Sequence, residues 1–139
     1  MIEPSRFLKV QERFIDTVKS ELKSRKKDSH WIWFIFPQLR GLGKSPMSNY
    51  YGLDGIEDAK EYYKHKHLRK NLECCLSIVC EYKGIEEIED CLGKLDTMKL
   101  HSCVSLFYLA TKKNIFKYVI NKFFNGILDE KTILLLKRN

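Results

Sequence analysis

Residues 29–46 read SHWIWFIFPQLRGLGKSP, a stretch that joins a dense aromatic run to a cluster of prolines and glycines. The aromatic part, residues 31–36, is apolar throughout and does not alternate with polar residues. Such a run fits a short buried helix, which we favour, and leaves a buried strand as the alternative. Pro37 closes the run, because a proline disfavours helical backbone at the residue before it.

Away from this stretch the sequence has the period of amphipathic helices. After Pro4, which suits a first helical turn, residues of one face recur every three or four positions at Phe7, Gln11, Phe14, Val18 and Leu22. Similar patterns cover residues 56–64, 68–80, 85–91, 96–108, 115–124 and 129–136. The sequence therefore predicts an all-α single domain, residues 1–139, of about seven or eight short helices.

Capping residues predict where some of these helices begin. Asp28 or Ser29 is suited to cap the aromatic helix over residues 31–36. Asp96 is suited to cap the helix predicted over residues 96–108. Ser45 followed by Pro46 is a stronger signal, because proline is favoured at the first helical position and serine directly before it. It predicts a helix over residues 47–51.

The composition excludes several classes of protein. Hydrophobic residues make up 44% and charged residues 31% of the chain, which is typical of a globular domain. The apolar run of residues 31–36 is far shorter than the roughly 20 residues of a membrane span. The N-terminus, MIEPSRFLKV, lacks the layout of a signal peptide. We therefore expect a cytoplasmic protein with no membrane partner.

The five cysteines follow neither CxxC nor zinc-ligand spacing, and they are odd in number. They fit reduced structural thiols rather than a disulfide framework, so a reducing compartment is indicated. The histidines outside the opening stretch also lack partners at metal-ligand spacing. We expect no metal site, and the sequence indicates no cofactor.

The net charge of +7 attracts polyanions in general. The lysines and arginines are spread along the chain, and no zinc-finger or aromatic RNA-binding motif accompanies them. A nucleic-acid-binding module would require these cations to gather on one face. Solvated helix faces are the alternative.

A candidate anion site precedes the helix that begins after Ser45. Gly41 and Gly43 allow close approach of the backbone, Lys44 adds a charge, and the first-turn amides favour an anion. This is not a Walker A loop, because that motif requires glycine where Gln38 stands. A capped turn without a ligand is the alternative.

Other residues extend this candidate site. Trp33 or Tyr51 offers a ring for stacking. His30 is the one group of the opening stretch that titrates near neutral pH, and it is our candidate acid or base. Lys99 and Ser102 lie one turn apart and suit an anionic ligand. The alternatives are core aromatics, a structural histidine and a surface lysine.

The segment SHWIWFIFPQLRGLGKSPMSNYYGL closely resembles the hallmark segment of an uncharacterised family, domain of unknown function 1810, sometimes labelled calpastatin-like. The resemblance runs nearly the full length and includes the DTMKLHS stretch that carries Lys99. It implies a small, mostly helical cytoplasmic protein and brings no established activity. Arg25, Asn71 and Cys103 depart from the family pattern, which tends to have glycine, arginine and serine at these positions.

Polar residues within the matching positions favour a ligand pocket over a purely structural signature. The candidate ligand-binding residues are Gln11, Lys27, Ser29, Trp33, Gln38, Gly43, Lys44, Ser45, Tyr51, Lys99 and Ser102, and His30 is the candidate catalytic residue. We expect them to form one cavity at Ser45 for a phosphorylated small molecule, such as a nucleotide or an ADP-ribose-type ligand. Binding alone and hydrolysis or transfer both stay open. A protein-interaction or structural domain and a basic nucleic-acid-binding module are the alternatives.

Overall fold

The computed structural model describes residues 1–138, which form nine α-helices and no strand. The helices are α1 (Pro4–Ser24), α2 (Ile32–Ile35), α3 (Pro46–Tyr51), α4 (Ile56–Lys64), α5 (Lys66–Cys80), α6 (Ile85–Leu92), α7 (Lys94–Thr111), α8 (Asn114–Phe123) and α9 (Glu130–Arg138). The all-α prediction is confirmed, with nine helices in this range instead of about seven or eight. Residues 31–36 include the short helix α2, so the favoured prediction of a buried helix is confirmed and the alternative of a buried strand is wrong.

Helix α7 is the centre of the fold. It packs against α2, α4, α6, α8 and α9, while α1 packs against α5 on another side of the core. Buried residues occur on every face of α7, as expected for a helix surrounded by others. Phe107 of α7 lies 5.4 Å from the Tyr62 ring and 5.6 Å from the Phe116 ring, measured between centroids. These contacts join α4 and α8 to the central helix.

The segment between α1 and α2 is fixed by one buried carboxylate. Glu21 accepts hydrogen bonds from the backbone N–H groups of Asp28 (2.9 Å) and Ser29 (3.1 Å). It also accepts from the Ser29 hydroxyl (2.6 Å) and the Trp31 indole N–H (2.9 Å). The prediction that Asp28 or Ser29 caps α2 is therefore wrong. Trp31 occupies the N-cap position without a side-chain cap, because Glu21 engages the preceding donors.

The loop after α2 is held by backbone hydrogen bonds to the residues after α3. Leu39 and Leu53 form an isolated parallel bridge, with Arg40 N–H donating to Leu53 O at 2.8 Å and Leu53 N–H to Gln38 O at 2.9 Å. The predicted start of α3 is confirmed, since the Ser45 hydroxyl accepts the backbone N–H of Ser48 at 3.1 Å.

Helix α7 begins two residues earlier than its predicted cap. Gly93 occupies the N-cap position with φ 84°, a left-handed conformation that favours glycine. The prediction that Asp96 caps α7 is wrong, because Asp96 lies inside the first turn. Among residues 1–138, no helix combines the length and the apolar character that a bilayer crossing requires.

Candidate functional site

Two lysines share one carboxylate in the first turns of α7. Lys27 Nζ lies 2.9 Å from Asp96 Oδ2, and Lys99 Nζ lies 3.4 Å from Asp96 Oδ1. Asp96 and Lys99 are three residues apart on one helix face. Lys27 belongs to the segment after α1, and its backbone N–H donates to Cys91 O at 3.1 Å, which holds this segment next to the beginning of α7. Two ammonium groups against one carboxylate leave a local excess of positive charge. That excess attracts an anion.

A tryptophan ring accompanies each of these lysines. Lys27 Nζ lies 5.0 Å from the Trp31 ring centroid, and Lys99 Nζ lies 5.2 Å from the Trp33 ring centroid. Both distances are within the range of cation–π attraction. We refer to Lys27, Trp31, Trp33, Asp96 and Lys99 as the lysine–tryptophan cluster.

The two indoles of the cluster differ in their hydrogen bonding. Trp31 is fully buried, and its N–H donates to Glu21. Trp33 is half-buried, and its indole nitrogen is a buried atom without a hydrogen-bond partner among residues 1–138. A buried donor without an acceptor costs about 1–3 kcal/mol. An acceptor supplied at this atom would therefore stabilise the folded protein.

Exposure also separates the two lysines. The side chain of Lys27 is 7% exposed, whereas that of Lys99 is 26% exposed. Lys27 is thus committed to Asp96 and the Trp31 ring inside the protein. Lys99 is the ammonium group of the cluster that faces solvent more fully.

Ser102 continues the α7 face that carries Lys99. Its hydroxyl lies 2.9 Å from Asp129 Oδ2 and 3.1 Å from the Met98 carbonyl oxygen. The same Asp129 oxygen accepts from the Thr132 backbone N–H at 3.1 Å and from the Thr132 hydroxyl at 2.5 Å. Ser102 therefore joins α7 to the beginning of α9, and its hydroxyl proton is engaged within the protein.

His30 and Ser29 lie on the segment between Lys27 and Trp31. The His30 side chain is exposed, and its ring makes no hydrogen bond to residues 1–138. The Ser29 hydroxyl, by contrast, is occupied by Glu21. Lys27 and Trp31 anchor this segment, so His30 is an accessible imidazole next to the cluster along the chain.

The turn at Ser45 is a separate feature. Lys44 and Ser45 are exposed, and the Ser45 hydroxyl both accepts the Ser48 N–H and lies 3.0 Å from the Ser48 hydroxyl. Within residues 1–138, no hydrogen bond or ion pair connects Lys44 or Ser45 with Lys27 or Lys99. Lys27 and Lys99, in contrast, both contact the carboxylate of Asp96.

Gln11 has its amide fully occupied by the core. Its Nε2 donates to Phe34 O at 2.7 Å and to the Tyr62 hydroxyl at 2.8 Å, while its Oε1 accepts from Asn71 at 2.8 Å. Only 1% of Gln11 is exposed. The structure thus places Gln11 and Asn71 in one buried network that links α1, α2, α4 and α5.

Gln38 and Tyr51 are buried, and Gly43 is half-buried. A Cβ added to Gly43 would lie 2.8 Å from Ser48 Cβ and 3.6 Å from Gln38 Nε2, so the glycine permits a close approach. Tyr51 packs 5.4 Å from the Phe34 ring, measured between centroids. Burial raises the pKa of the Tyr51 phenol. One edge of Tyr51 lines a cleft of about 310 Å³ on the α1 side.

Sequence reasoning missed the role of two carboxylates. Asp96 was interpretable as an ion-pair partner, because Lys99 follows it at the helical spacing of three residues. Glu21 gave no such signal, since its partners lie seven to ten residues further along a non-helical segment. Burial by itself would raise the pKa of Glu21, but hydrogen bonds from Ser29, Trp31 and Asp28 outweigh it and hold that pKa below its usual value.

Comparison with known proteins supports the resemblance drawn from the HWIWFIFPQ segment. The model of the family described as "Protein of unknown function (DUF1810)" matches residues 2–136. The crystal structure of the conserved hypothetical protein Rv1873 from Mycobacterium tuberculosis is similar to this chain at 37% sequence identity, over 96% of each chain, with a TM-score of 0.91. No curated protein matches the sequence.

Proposed function

This chain belongs to the DUF1810 family, and from the geometry of the lysine–tryptophan cluster we propose that it binds a small phosphorylated molecule there. The observation that carries this proposal is the pairing of Lys99 with Trp33. A partly exposed ammonium group lies 5.2 Å from the ring centroid of an indole whose buried N–H lacks an acceptor, and the neighbouring Lys27 offsets the charge of Asp96. A phosphate oxygen supplies both a negative charge and a hydrogen-bond acceptor.

Lys99 is the phosphate contact in this proposal. Lys27 stays with Asp96, because without this partner its ammonium group would be a poorly solvated, uncompensated charge. A hydrogen bond between charged groups contributes about 1.5–3 kcal/mol. The half-buried ring of Trp33 provides apolar area for a sugar or a base, which favours a nucleotide or an ADP-ribose-type ligand over inorganic phosphate.

The residues around Ser45 have a supporting role in this proposal. Lys44 and Ser45 are exposed and accessible to a second phosphate of an extended ligand, whereas Gln38 and Gly43 shape the loop from within. Ser29 and Ser102 bind the carboxylates of Glu21 and Asp129, and in this proposal they fix the segments next to Lys27 and Lys99 without contacting the ligand. We expect the protein to act in the cytoplasm.

Binding is tested by titration calorimetry and thermal unfolding with inorganic phosphate, AMP, ADP and ADP-ribose. Lys99→Gln should weaken binding by about tenfold or more, the loss expected for one charged hydrogen bond. Lys94→Gln is the matched control, because it removes an exposed lysine from the same helix. Trp33→Phe keeps a ring and removes the N–H, and it should weaken binding less than Lys99→Gln. Equal affinities of Lys99→Gln and Lys94→Gln, or no binding by the unmodified protein, would refute the site.

Catalysis is a separable part of the proposal. His30 would act as acid or base in hydrolysis or transfer at phosphorus or at a glycosidic carbon. His30→Asn should then abolish product formation, as measured by phosphorus NMR and mass spectrometry. The Kd measured by calorimetry should change less than threefold. Binding without turnover by the unmodified protein would identify a binding protein and exclude an enzyme acting on these ligands.

A further inference from the structure

Five cationic side chains line a groove between α1 and α5, away from the lysine–tryptophan cluster. They are Lys19 and Lys23 of α1 and Lys66, Arg69 and Lys70 of α5. The groove has a volume of about 570 Å³. Among residues 1–138, none of the five forms an ion pair with a carboxylate.

The groove contains one carboxylate, that of Glu73. Glu73 is engaged by the Tyr63 hydroxyl, which donates to its Oε2. Five positive charges against one negative charge represent a large part of the net charge of +7 of the whole chain. Five of the 25 lysines and arginines thus share one groove, and such a local cluster is what binding of a polyanion requires.

The cations of α5 lie in one part of the groove lining, from Lys66 to Lys70, which spans about 6 Å of the helix. The α5 residues that line it extend from Lys66 to Ile78, which corresponds to about 18 Å at the helical rise of 1.5 Å per residue. The floor further along α5 is formed by Cys74, Ser77 and Ile78. Five cations from two helices exceed the charge of a single phosphate group, so they match a polymer that repeats its charge better than they match one compact anion.

We propose that this groove binds the backbone of a single-stranded nucleic acid. Its five cations together neutralise about three or four successive phosphates, and the release of condensed counterions supplies most of the binding free energy. The apolar floor and the planar guanidinium of Arg69, which lies 5.8 Å from the Tyr63 ring centroid, offer surfaces to the bases. The concave shape between two helices receives one extended strand and not a flat membrane surface.

Salt dependence provides the first test. Fluorescence anisotropy with a labelled oligothymidylate of about 12 nucleotides measures Kd between about 50 and 200 mM salt. Contacts to three or four phosphates predict a slope of log K against log salt between about −2 and −3, which raises Kd about 16- to 64-fold over this range. A slope near zero would overturn the proposal.

Charge-matched variants locate the binding. Lys66→Gln combined with Lys70→Gln removes two exposed lysines from the groove, and the slope should become less negative by about 1.4. Lys131→Gln combined with Lys137→Gln removes the same charge from exposed positions on α9 and serves as the control. Equal slopes for the two double variants would place the nucleic acid elsewhere and overturn the proposal.

Two cysteines report contact directly. Cys74 lines the groove and is half-buried, whereas Cys80 is half-buried outside the groove lining. Saturating oligonucleotide should slow alkylation of Cys74 by iodoacetamide at least fivefold and leave Cys80 unchanged, as measured by mass spectrometry. Equal effects at the two cysteines would contradict contact in the groove.

A competition experiment distinguishes nucleic acid from an acidic protein partner. A polyglutamate peptide with the same number of charges as the oligothymidylate should displace it only at a concentration at least tenfold higher. Displacement at equal concentration would assign the groove to acidic polypeptides and overturn the nucleic-acid assignment. Neither Lys27 nor Lys99 lines the groove, so variants of different residues test the two proposals.

Discussion

Replacing Glu21 with alanine should destabilise the protein by about 3–5 kcal/mol. The substitution leaves four donors without their acceptor, two on Ser29 and one each on Asp28 and Trp31. The Trp31 indole N–H is fully buried, and a buried donor without a partner costs about 1–3 kcal/mol. The partly buried donors add smaller costs, because water reaches them. This loss is a large fraction of the total free energy of unfolding, about 5–15 kcal/mol, that is typical of such domains.

Glu21→Gln separates the hydrogen bonds from the charge. Oε1 of Glu21 accepts from Asp28 N, Ser29 N and the Trp31 indole, and a glutamine carbonyl at this position still accepts all three. Oε2 contacts the Ser29 hydroxyl, which can accept from the new NH₂ group. The four contacts persist as weaker neutral hydrogen bonds, while the desolvation cost of a buried charge disappears. We expect a net loss of about 1–2 kcal/mol.

The pH dependence distinguishes the two effects. The pKa of Glu21 is lower in the folded protein than its usual value of 4.5, so the folded state binds fewer protons than the unfolded chain. The stabilisation is fully present above about pH 4.5 and is lost as the pH falls through the lower folded pKa. Glu21→Gln lacks this titration, so its free energy of unfolding should decrease less on acidification.

Urea denaturation followed by far-UV circular dichroism, at pH 7 and in steps down to about pH 3, measures these differences. Glu12→Gln removes an exposed carboxylate from the same helix and should stay within about 0.5 kcal/mol of the unmodified protein at pH 7. A cost below about 1 kcal/mol for Glu21→Ala would refute the reasoning. So would an acid dependence of Glu21→Gln equal to that of the unmodified protein.

Two further predictions concern packing and thiol reactivity. Gly43→Ala should cost about 1–3 kcal/mol in thermal unfolding, because its Cβ would lie 2.8 Å from Ser48 Cβ, whereas Gly84→Ala, with nothing within 4 Å, should cost far less. Similar costs for the two variants would contradict the packing. Burial raises the pKa of Cys75 to about 12, so about one molecule in ten thousand carries its thiolate at pH 8. Iodoacetamide should therefore label the half-buried Cys74 at least tenfold faster than Cys75, and equal rates would contradict this burial.

The helices were predictable from the sequence where the residues that specify them lie within a few positions of each other. The period of Phe7, Gln11 and Val18 predicts α1, and the Ser45-Pro46 pair predicts the beginning of α3, because capping joins residues three apart. Asp96 is also of a residue type that is favoured as a helix cap, yet Gly93 occupies the N-cap position of α7 with its left-handed backbone. Short-range signals identify suitable residues, and the surrounding backbone decides which of them is used.

The candidate site was predictable only in part, because its contacts are distant in sequence. The resemblance and the chemistry selected Lys27, Trp33 and Lys99, and the structure joins these residues through ion-pair and cation–π contacts. No local pattern shows that Lys27 reaches Asp96. Exposure was not predictable from the sequence either, since Tyr51, the candidate stacking ring, is 9% exposed, whereas its neighbour Tyr50 is 57% exposed.

The central position of α7 has a consequence during synthesis of the chain. Residues 31–36 are buried in the finished protein except for the half-buried Trp33. Helix α2 packs against α5 and α7, and the last residue of α7 is Thr111. At about 5–20 residues per second, roughly 4–15 s of translation separate the aromatic run from the completion of that helix. During this interval an uncharged run of six apolar residues lacks its final neighbours on the ribosome. The nascent chain therefore passes through a period of aggregation risk that ends only when α7 is available to cover the run.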